Sequence, residues 1–401
     1  MRAGWEIKTL GEVCEVVNGG TPKTNTPEYW DGDIQWITPA EMGKRESPFV
    51  SVTNRTLTPS GLQNSSARKI SSNSVILSTR APIGHLVINT VPMATNQGCR
   101  GLVPHDNLNT KFLYYFLACN VDLLNELGTG TTFKELSSGK LKEVAVPLPP
   151  LAEQQRIVAI LDEAFEGIAT ARKHAEQNLQ NAKALFESQL EAVFSQKGEG
   201  WVEKRLEEEV EFSAGYAFKS VNYVTEHIGI RLLRGDNIMQ GVFRWEDAVF
   251  WPQDELLLFQ RFTLEENDIV LAMDRPWVTA GLKIACVSKQ DLPCLQVQRT
   301  ARLRTSNNLQ WRYLFHLLRS KAFVDYLLEG QTGLGVPHIS GKQILSFRFW
   351  LPPLADQAKV VTNLDALTDE TNRLCDIYTQ KIAALDALKK SLLHQAFSGE
   401  L

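Results

Sequence analysis

The chain has 401 residues, more than one ordinary core organises, so two or more domains are expected. It is 43% hydrophobic and 22% charged, and it lacks the run of about 18 apolar residues that a membrane-crossing helix needs. The net charge of −4 is uneven: residues 1–150 carry 14 Lys+Arg against 13 Asp+Glu, residues 201–353 balance, and the excess acid lies in 151–200 and 354–401. Any nucleic-acid face must therefore come from local clustering, because no basic segment exists to bind phosphate nonspecifically.

The N-terminal stretch MRAGWEIKTLGEVCEVV has neither the apolar segment nor the cleavage site of a secretory signal, and the expected location is the cytoplasm. Cys14, Cys99, Cys119, Cys286, Cys294 and Cys375 form no C-x-x-C pair and are expected to be reduced and mostly buried. Short β-rich runs follow, SVILST at 74–79 and HLVINT at 85–90, broken by Gly, Pro, Asn and Thr clusters. A helical patch, TKFLYYFLACNVDLLNEL, leads into VPLPPLAEQQRIVAILD at 146–162. After Pro-Pro the apolar residues Ile157, Leu161, Ala164, Ile168, Ala171, Ala175, Leu179, Ala182 and Phe186 recur at spacings of three and four, the pattern of a long amphipathic helix.

The plan then repeats. GWVEKRLEEEV at 200–210 resembles GWEIKTLGEV at 4–13; DIVLAM (268–273) and LKIACV (282–287) read as strands, and WRYLFHLLRSKAFVDYLL as helix. FWLPPLADQAKVVTNLD at 349–365 matches the first LPPL passage at 9 of 17 positions with an offset of 203. The second helix carries Val360, Leu364, Leu367, Leu374, Tyr378, Leu385, Leu388 and Leu392 in equivalent register. The duplication predicts an α+β protein with an internal pseudo-two-fold repeat: globular units at 1–150 and 199–353, and long helices within 151–198 and 354–401. A lone helix of this length, about 65 Å at ~1.5 Å per residue, leaves its stripe wet. The helices are therefore expected to pair as an antiparallel coiled coil whose seam holds Ile157, Leu161, Ile168, Leu179, Val360, Leu364, Leu367, Leu374, Leu385 and Leu392. Packing of each helix on its own globular unit is the alternative. The close FSGEL at 397–401 lies about where a connection back to the N-terminus would start, as pseudo-symmetry expects.

Catalytic patterns are missing. The only Pro-Pro pairs follow Leu, unlike the Asp/Asn-Pro-Pro-aromatic motif of DNA methyltransferases, and GVPHISGKQ at 335–343 departs from a phosphate-binding loop in spacing and in its Gln. The seven histidines are scattered without metal-ligand spacing, and His85 and His316 read as structural.

With its twice-used LPPLAEQ-like passage, the FS-G-E close of each helix, the GW-x-x-x-x-L openings and the strings VNGGTPKT, WITPAEM, STRAPIG and TNQG, the chain resembles the specificity subunits of bacterial type I DNA restriction-modification systems. The resemblance implies two target-recognition domains, each reading one half of a split double-stranded DNA site, separated by the helical pair. It also implies docking of two methyltransferase subunits that bring S-adenosylmethionine, and of motor-nuclease subunits that bring ATP and Mg; the chain itself holds no cofactor and no metal. The second unit departs from the pattern, with SAGYAFKS and AMDRPWV where the first has NGGTPKT and STRAPIG.

Base reading needs Arg, Lys, Asn or Gln on loops that reach a groove. The candidates are Lys23, Thr24, Arg80, Asn96, Gln97 and Lys134 in the first unit and Lys219, Arg234, Asn237, Arg275, Gln298, Arg299 and His338 in the second. A solvated surface charge or a turn-shaping amide is the bland alternative for each, and Trp36 and Trp277 are expected to serve the core. Two other functions compete with DNA specificity: an autonomous methyltransferase or nuclease, and a coiled-coil docking adaptor without base readout.

Overall fold

The computed structural model describes residues 4–80, 82–130, 134–278, 281–329 and 338–401; Ala81 of STRAPIG, part of the Gly/Thr loop before Lys134, and 335–337 of GVPHISGKQ lie outside them. The chain forms two compact units, one of Met1–Glu176 with Gln380–Leu401 and one of Gln177–Thr379. Each long helix is thus divided between the units.

In the first unit a five-stranded sheet runs in the order Cys14–Asn18, Cys99–Pro104, Ser74–Thr79, Ile83–Asn89, Phe49–Val50, beside a three-stranded sheet of Arg55–Leu57, Trp30–Ile37 and Met93–Thr95. The second unit repeats this with Val210–Ala214, Thr300–Thr305, Ile269–Ala272 and Ile284–Cys286, beside Val249–Pro252, Gly229–Leu233 and Cys294–Gln296. SVILST is a strand along its whole length and is buried on both faces, which its unbroken apolar and hydroxyl composition allows. Each helical patch before LPPL is two helices rather than one: Thr110–Cys119 and Val121–Leu127, and Trp311–Leu317 and Lys321–Glu329. At the first break Asn120 leaves helical geometry and its amide donates to the Phe116 carbonyl at 2.7 Å, an interaction by which Asn competes with the helix.

The long helices are Leu151–Phe194 and Leu354–Ser398. Within the first unit they run antiparallel, since pairing indices fall on one as they rise on the other: Arg156 donates to the Leu401 carbonyl, the Lys389 ammonium lies over the Phe165 ring, and Arg172 pairs with Asp386. Buried positions on the first helix recur every seven residues at Gln154, Leu161, Ile168, Ala175 and Ala182, and on the second at Gln357, Leu364 and Thr371. This is the seam period of a coiled coil.

The expected seam needs correction in membership. Ile157, Leu161, Ile168 and Leu364 are buried, whereas Leu179, Val360, Leu367, Leu374, Leu385 and Leu392 are only half-buried and Leu388 is exposed. Ala175 and Ala182 occupy the most enclosed mid-helix positions instead, because small side chains let helix backbones approach. Ile157 and Leu161 do double duty. They join the globular core of the first unit with Leu10, Phe112 and Leu117, together with Leu393 and Ala396 of the second helix. Phe397 packs edge-on to Phe112 and Phe116, and in the second unit its repeat mate Phe194 packs edge-on to Tyr313.

The LPPL passage owes its repetition to a glutamine. Gln154 is fully buried; its Oε1 accepts from the Asn109 N–H at 2.8 Å, and its Nε2 donates to the carbonyls of Asn107 and Pro149 at 2.9 and 2.8 Å. Gln357 repeats every bond, accepting from the Gln310 N–H at 2.8 Å and donating to the carbonyls of Asn308 and Pro352 at 2.8 and 2.9 Å. One side chain therefore ties the Pro-Pro turn, the start of the long helix and the cap of the preceding helix. Two turns later Asp162 takes Lys111 and the Tyr115 hydroxyl, both at 2.6 Å, while Asp365 takes Arg312 and, at 2.8 Å, His316.

Gln154→Ala and Gln357→Ala each orphan three backbone groups. Each substitution should destabilise its own unit by about 3 kcal/mol or more, measured by denaturant unfolding; a loss within error of an exposed Gln→Ala control would refute the clamp. His316 gives a second test. Burial holds its imidazole below the ordinary range, with the Asp365 hydrogen bond opposing. The folded state thus resists the proton that the unfolded chain accepts, and this contribution to stability is full above the ordinary histidine value of about 6.5 and is lost as pH falls through it. Melting temperatures recorded from about pH 7.5 to about pH 5.5 should fall less for His316→Tyr, which copies Tyr115, than for the wild type. Equal slopes would show that His316 is not responsible.

Candidate nucleic-acid interface

At the end of the first unit's large sheet, four segments bring polar side chains together. Thr21 donates to Oε1 of Gln97, and the Gln97 carbonyl accepts from Arg100 at 2.7 Å. Arg100 also donates to Ser138 at 2.9 Å, and Ser138 to Asn18 at 2.6 Å. Glu135 lies 3.7 Å from both Arg80 and Arg100, so one carboxylate orients two guanidinium groups. Two glycines make the approach possible. A Cβ on Gly19 would fall 1.9 Å from the Asn96 carbonyl oxygen, and one on Gly20 would fall 2.2 Å from the Ala67 nitrogen.

The second unit gathers a comparable set around an open polar cleft of about 330 Å³ lined by Gly235, Asp236, Asp274, Arg275, Gln298 and Arg299. Asp274 is the hub, accepting from Arg299 at 2.7 Å and from His338. Partial burial works against ionisation of Asp274, but His338 and the Arg299 charge prevail and hold its carboxyl below the usual range. Arg275 and Arg299 both adopt left-handed backbone, φ 45° and 65°, which costs a side-chain-bearing residue roughly 1–2 kcal/mol. Two such residues line one polar cleft.

Three pairs of backbone hydrogen bonds register the two clusters. Gly20 N–H to Thr95 O corresponds to Tyr216 N–H to Gln296 O, Thr79 to Gly98 corresponds to Met273 to Arg299, and Leu136 to Thr79 corresponds to Ile339 to Met273. Gln97 and Gln298 therefore hold the same place. Glu135 corresponds to His338, Arg80 to Asp274, and Gly98 to Arg299. The pairing between strand end and loop is kept with the carboxylate moved, on the loop as Glu135 in the first unit and at the strand end as Asp274 in the second. Donor and acceptor positions differ accordingly on one frame.

The structure sorts the sequence-derived candidates. Arg80, Asn96 and Gln97 meet in the first cluster, although Asn96 Oδ1 is spent on the Gly98 N–H at 2.9 Å and shapes the turn. Lys134 is exposed beside Glu135 in sequence. Lys23 and Thr24 are exposed further along the loop that carries Thr21, where the Lys23 carbonyl accepts from Trp30 Nε1 at 3.1 Å. Arg275, Gln298, Arg299 and His338 meet in the second cluster, and Lys219 is exposed outside it. Asn237 is corrected: it is 2% exposed, accepts from the Arg234 N–H, and donates to the Arg244 carbonyl, so no amide atom is left to face a base. Arg234 is half-buried and donates to the Asp247 carbonyl at 2.8 Å, which makes it a loop brace.

Arg100, Glu135, Asp236 and Asp274 were not foreseen. The offset of 203 extends backward from the helices to Glu135 and His338, and following it would have paired those two. Trp36 is core as expected, 4% exposed and donating to the Gly20 carbonyl at 3.0 Å, while Arg55 stacks 3.5 Å over the Trp30 ring. All six cysteines are unpaired, and burial pushes the Cys14 and Cys99 thiols up to about 12. Among the described residues no group of His, Cys, Asp and Glu could hold a metal, and no helix is long and apolar enough to cross a membrane.

Comparison with known proteins agrees with this duplicated architecture. The family model for the type I restriction modification DNA specificity domain matches twice, at residues 2–180 and 198–384. The specificity subunit of the MjaVIII enzyme of Methanocaldococcus jannaschii is 23% identical over 99% of this chain and 93% of its own length. The MjaIX subunit of the same organism is 31% identical over 59% of each chain, and the Escherichia coli EcoAI subunit is 41% identical over 44% of this chain and 30% of its own length. The match thus spans less than two thirds of those two relatives. A solved structure from work on complex assembly and conformational transition of a type I restriction-modification system has the same fold, with a TM-score of 0.82 at 20% identity over 100% of this chain and 99% of that one. The HsdS subunit of Thermoanaerobacter tengcongensis gives 0.62 at 20% identity over 100% and 98%. With both halves matched, the chain belongs to the type I restriction-modification DNA specificity family.

Proposed function

We propose that this chain is the noncatalytic reading subunit of a DNA methyltransferase complex, each globular unit recognising one half of a split double-stranded site. The observation that carries this reading is the pair of polar clusters, built on one hydrogen-bonded frame but presenting different donors and acceptors. Gln97 and Gln298 each supply an amide at the same place, and Arg80 and Arg275 each supply an exposed guanidinium, the groups that pair with adenine and guanine edges. The long helices dock two methyltransferase subunits. Catalysis belongs to those partners, which bring S-adenosylmethionine, and a motor-nuclease subunit using ATP and Mg completes the restriction form. The complex acts in the cytoplasm.

The assembled complex tests the assignment. Arg80→Ala should lower discrimination at particular base pairs of one half-site, by ~1–3 kcal/mol, and Arg275→Ala should do so at the other. Arg275→Gly serves as a folding control, because glycine relieves the left-handed backbone while removing the guanidinium. Equal losses at both half-sites from either substitution would rule out one unit per half-site, and no loss from any of them would rule out base reading by these clusters.

The shared helices set the DNA spacer in this reading. One heptad inserted at matching places in both preserves the seam and adds ~10 Å, or roughly three base pairs. The doubly lengthened chain should prefer a longer spacer or bind weakly, with each unit's base preferences intact, when site preference is measured by selection from randomised DNA. Unchanged affinity for the original spacer would show that the helices are not the ruler.

A further inference from the structure

The second unit contains an open cleft of about 670 Å³ between residues 184–191 of the first long helix, the helix Lys321–Glu329 and the strands around Trp277 and Leu282. It is unlike the DNA-facing cluster. Its walls include Leu190, Val324 and Leu328, the last 46% exposed, and two buried donors among its lining residues, Arg319 Nε and Trp277 Nε1, have no acceptor. Among the described residues no carboxylate pairs with Arg319. Its guanidinium lies 5.5 and 5.1 Å from the ring centres of Phe186 and Phe315, contacts that leave Nε unsatisfied. Burial alone, with no charge opposing it, depresses the Arg319 pKa.

The first unit does without this arginine, and has Lys389 at the place of Phe186. Gln154 and Gln357 hold the N–H groups of Asn109 and Gln310, and this sets the register of the two helices that follow. Lys111 matches Arg312 and Tyr115 matches His316 on their equivalent aspartates. In that register Arg319 stands where the first unit has Ala118. A buried Nε–H without an acceptor is costly, and the rings of Phe186 and Phe315 do not supply one.

We propose that this cleft docks one amphipathic helix of a partner protein, presenting an apolar side chain beside a single carboxylate. The carboxylate accepts from Arg319 and from Trp277, and the apolar side chain covers Leu328 and Val324. Two features favour a helix over a small molecule: the cleft is open to solvent, and two of its walls are successive helical turns, which suits helix-in-groove recognition. Exposed Glu187 and Glu191 at the rim require basic residues flanking the carboxylate. Because the first unit has Ala118, each chain takes one such helix, although the scaffold is duplicated. No part of this depends on DNA reading, and the test contains no DNA.

A displayed library of helical peptides is selected on the full-length chain, with counter-selection on Arg319→Met. The expected result is enrichment of peptides that pair an acidic residue with an apolar one, binding the wild type about tenfold or more tighter than Arg319→Met, and losing a similar factor when the acid becomes its amide. No enrichment, enriched peptides without an acid, or equal binding to Arg319→Met would each overturn the proposal. The melting temperature of Arg319→Met decides the fold question: it should match or exceed that of the wild type, since a buried donor without an acceptor is removed. A clear fall would assign Arg319 to packing against Phe186 and Phe315 and would also overturn it.

Discussion

A buried glutamine holds the architecture together at two places. Gln154 and Gln357 each sit in the angle between a globular unit and a long helix, with all three of their strong hydrogen-bonding positions used on backbone groups that have no other partner. An apolar residue of equal size would fill the space but orphan those groups, and a charged one would meet two carbonyls with the wrong sign. This accounts for the persistence of LPPLAEQ and LPPLADQ where the surrounding sequence has drifted. The turn, the cap and the helix start are one hydrogen-bonded object.

With the junctions held, the sheet ends can change. The two polar clusters share backbone bonds from residues 20, 79 and 136 in one unit and 216, 273 and 339 in the other, so side chains placed on them are exchanged without disturbing the ladder. Ion pairs at these positions are largely exposed, contribute little to stability, and cost little to invert. The exchange of Arg80–Glu135 for Asp274–His338 is therefore an inexpensive way to present a new donor–acceptor pattern. The same freedom is absent at Gly19 and Gly215, where a Cβ would strike the carbonyls of Asn96 and Val297.

The helices show a different economy. Their buried positions keep a seven-residue period, yet the first helix uses alanine at 175 and 182 where the second has tyrosine and leucine at the equivalent 378 and 385. A seam of this kind tolerates unequal partners provided the small residues lie deepest. The half-burial of Leu367 and Leu374 leaves apolar surface beside the seam, where methyltransferase docking is proposed.

Much of the plan was legible in residues alone. Duplication, two α+β units, two long helices and the antiparallel seam follow from an offset of 203 and from periodicity, because repeated local patterns build repeated local structure. The residues proposed to read bases were legible only as candidate types, since Arg80, Gln97, Arg275 and Gln298 lie on Gly- or Pro-marked turns. Tertiary structure decided which of them meet. Nothing in the local sequence of Asn237 distinguishes it from Asn96, yet one is sealed inside a loop and the other shapes the edge of a cluster. The carboxylates Glu135 and Asp274 became visible only when strands distant in sequence were paired, because an ion pair is a property of distance in space. Arg319 is of the same kind: sequence shows that the arginine is there, but only the fold shows that its buried Nε has no acceptor.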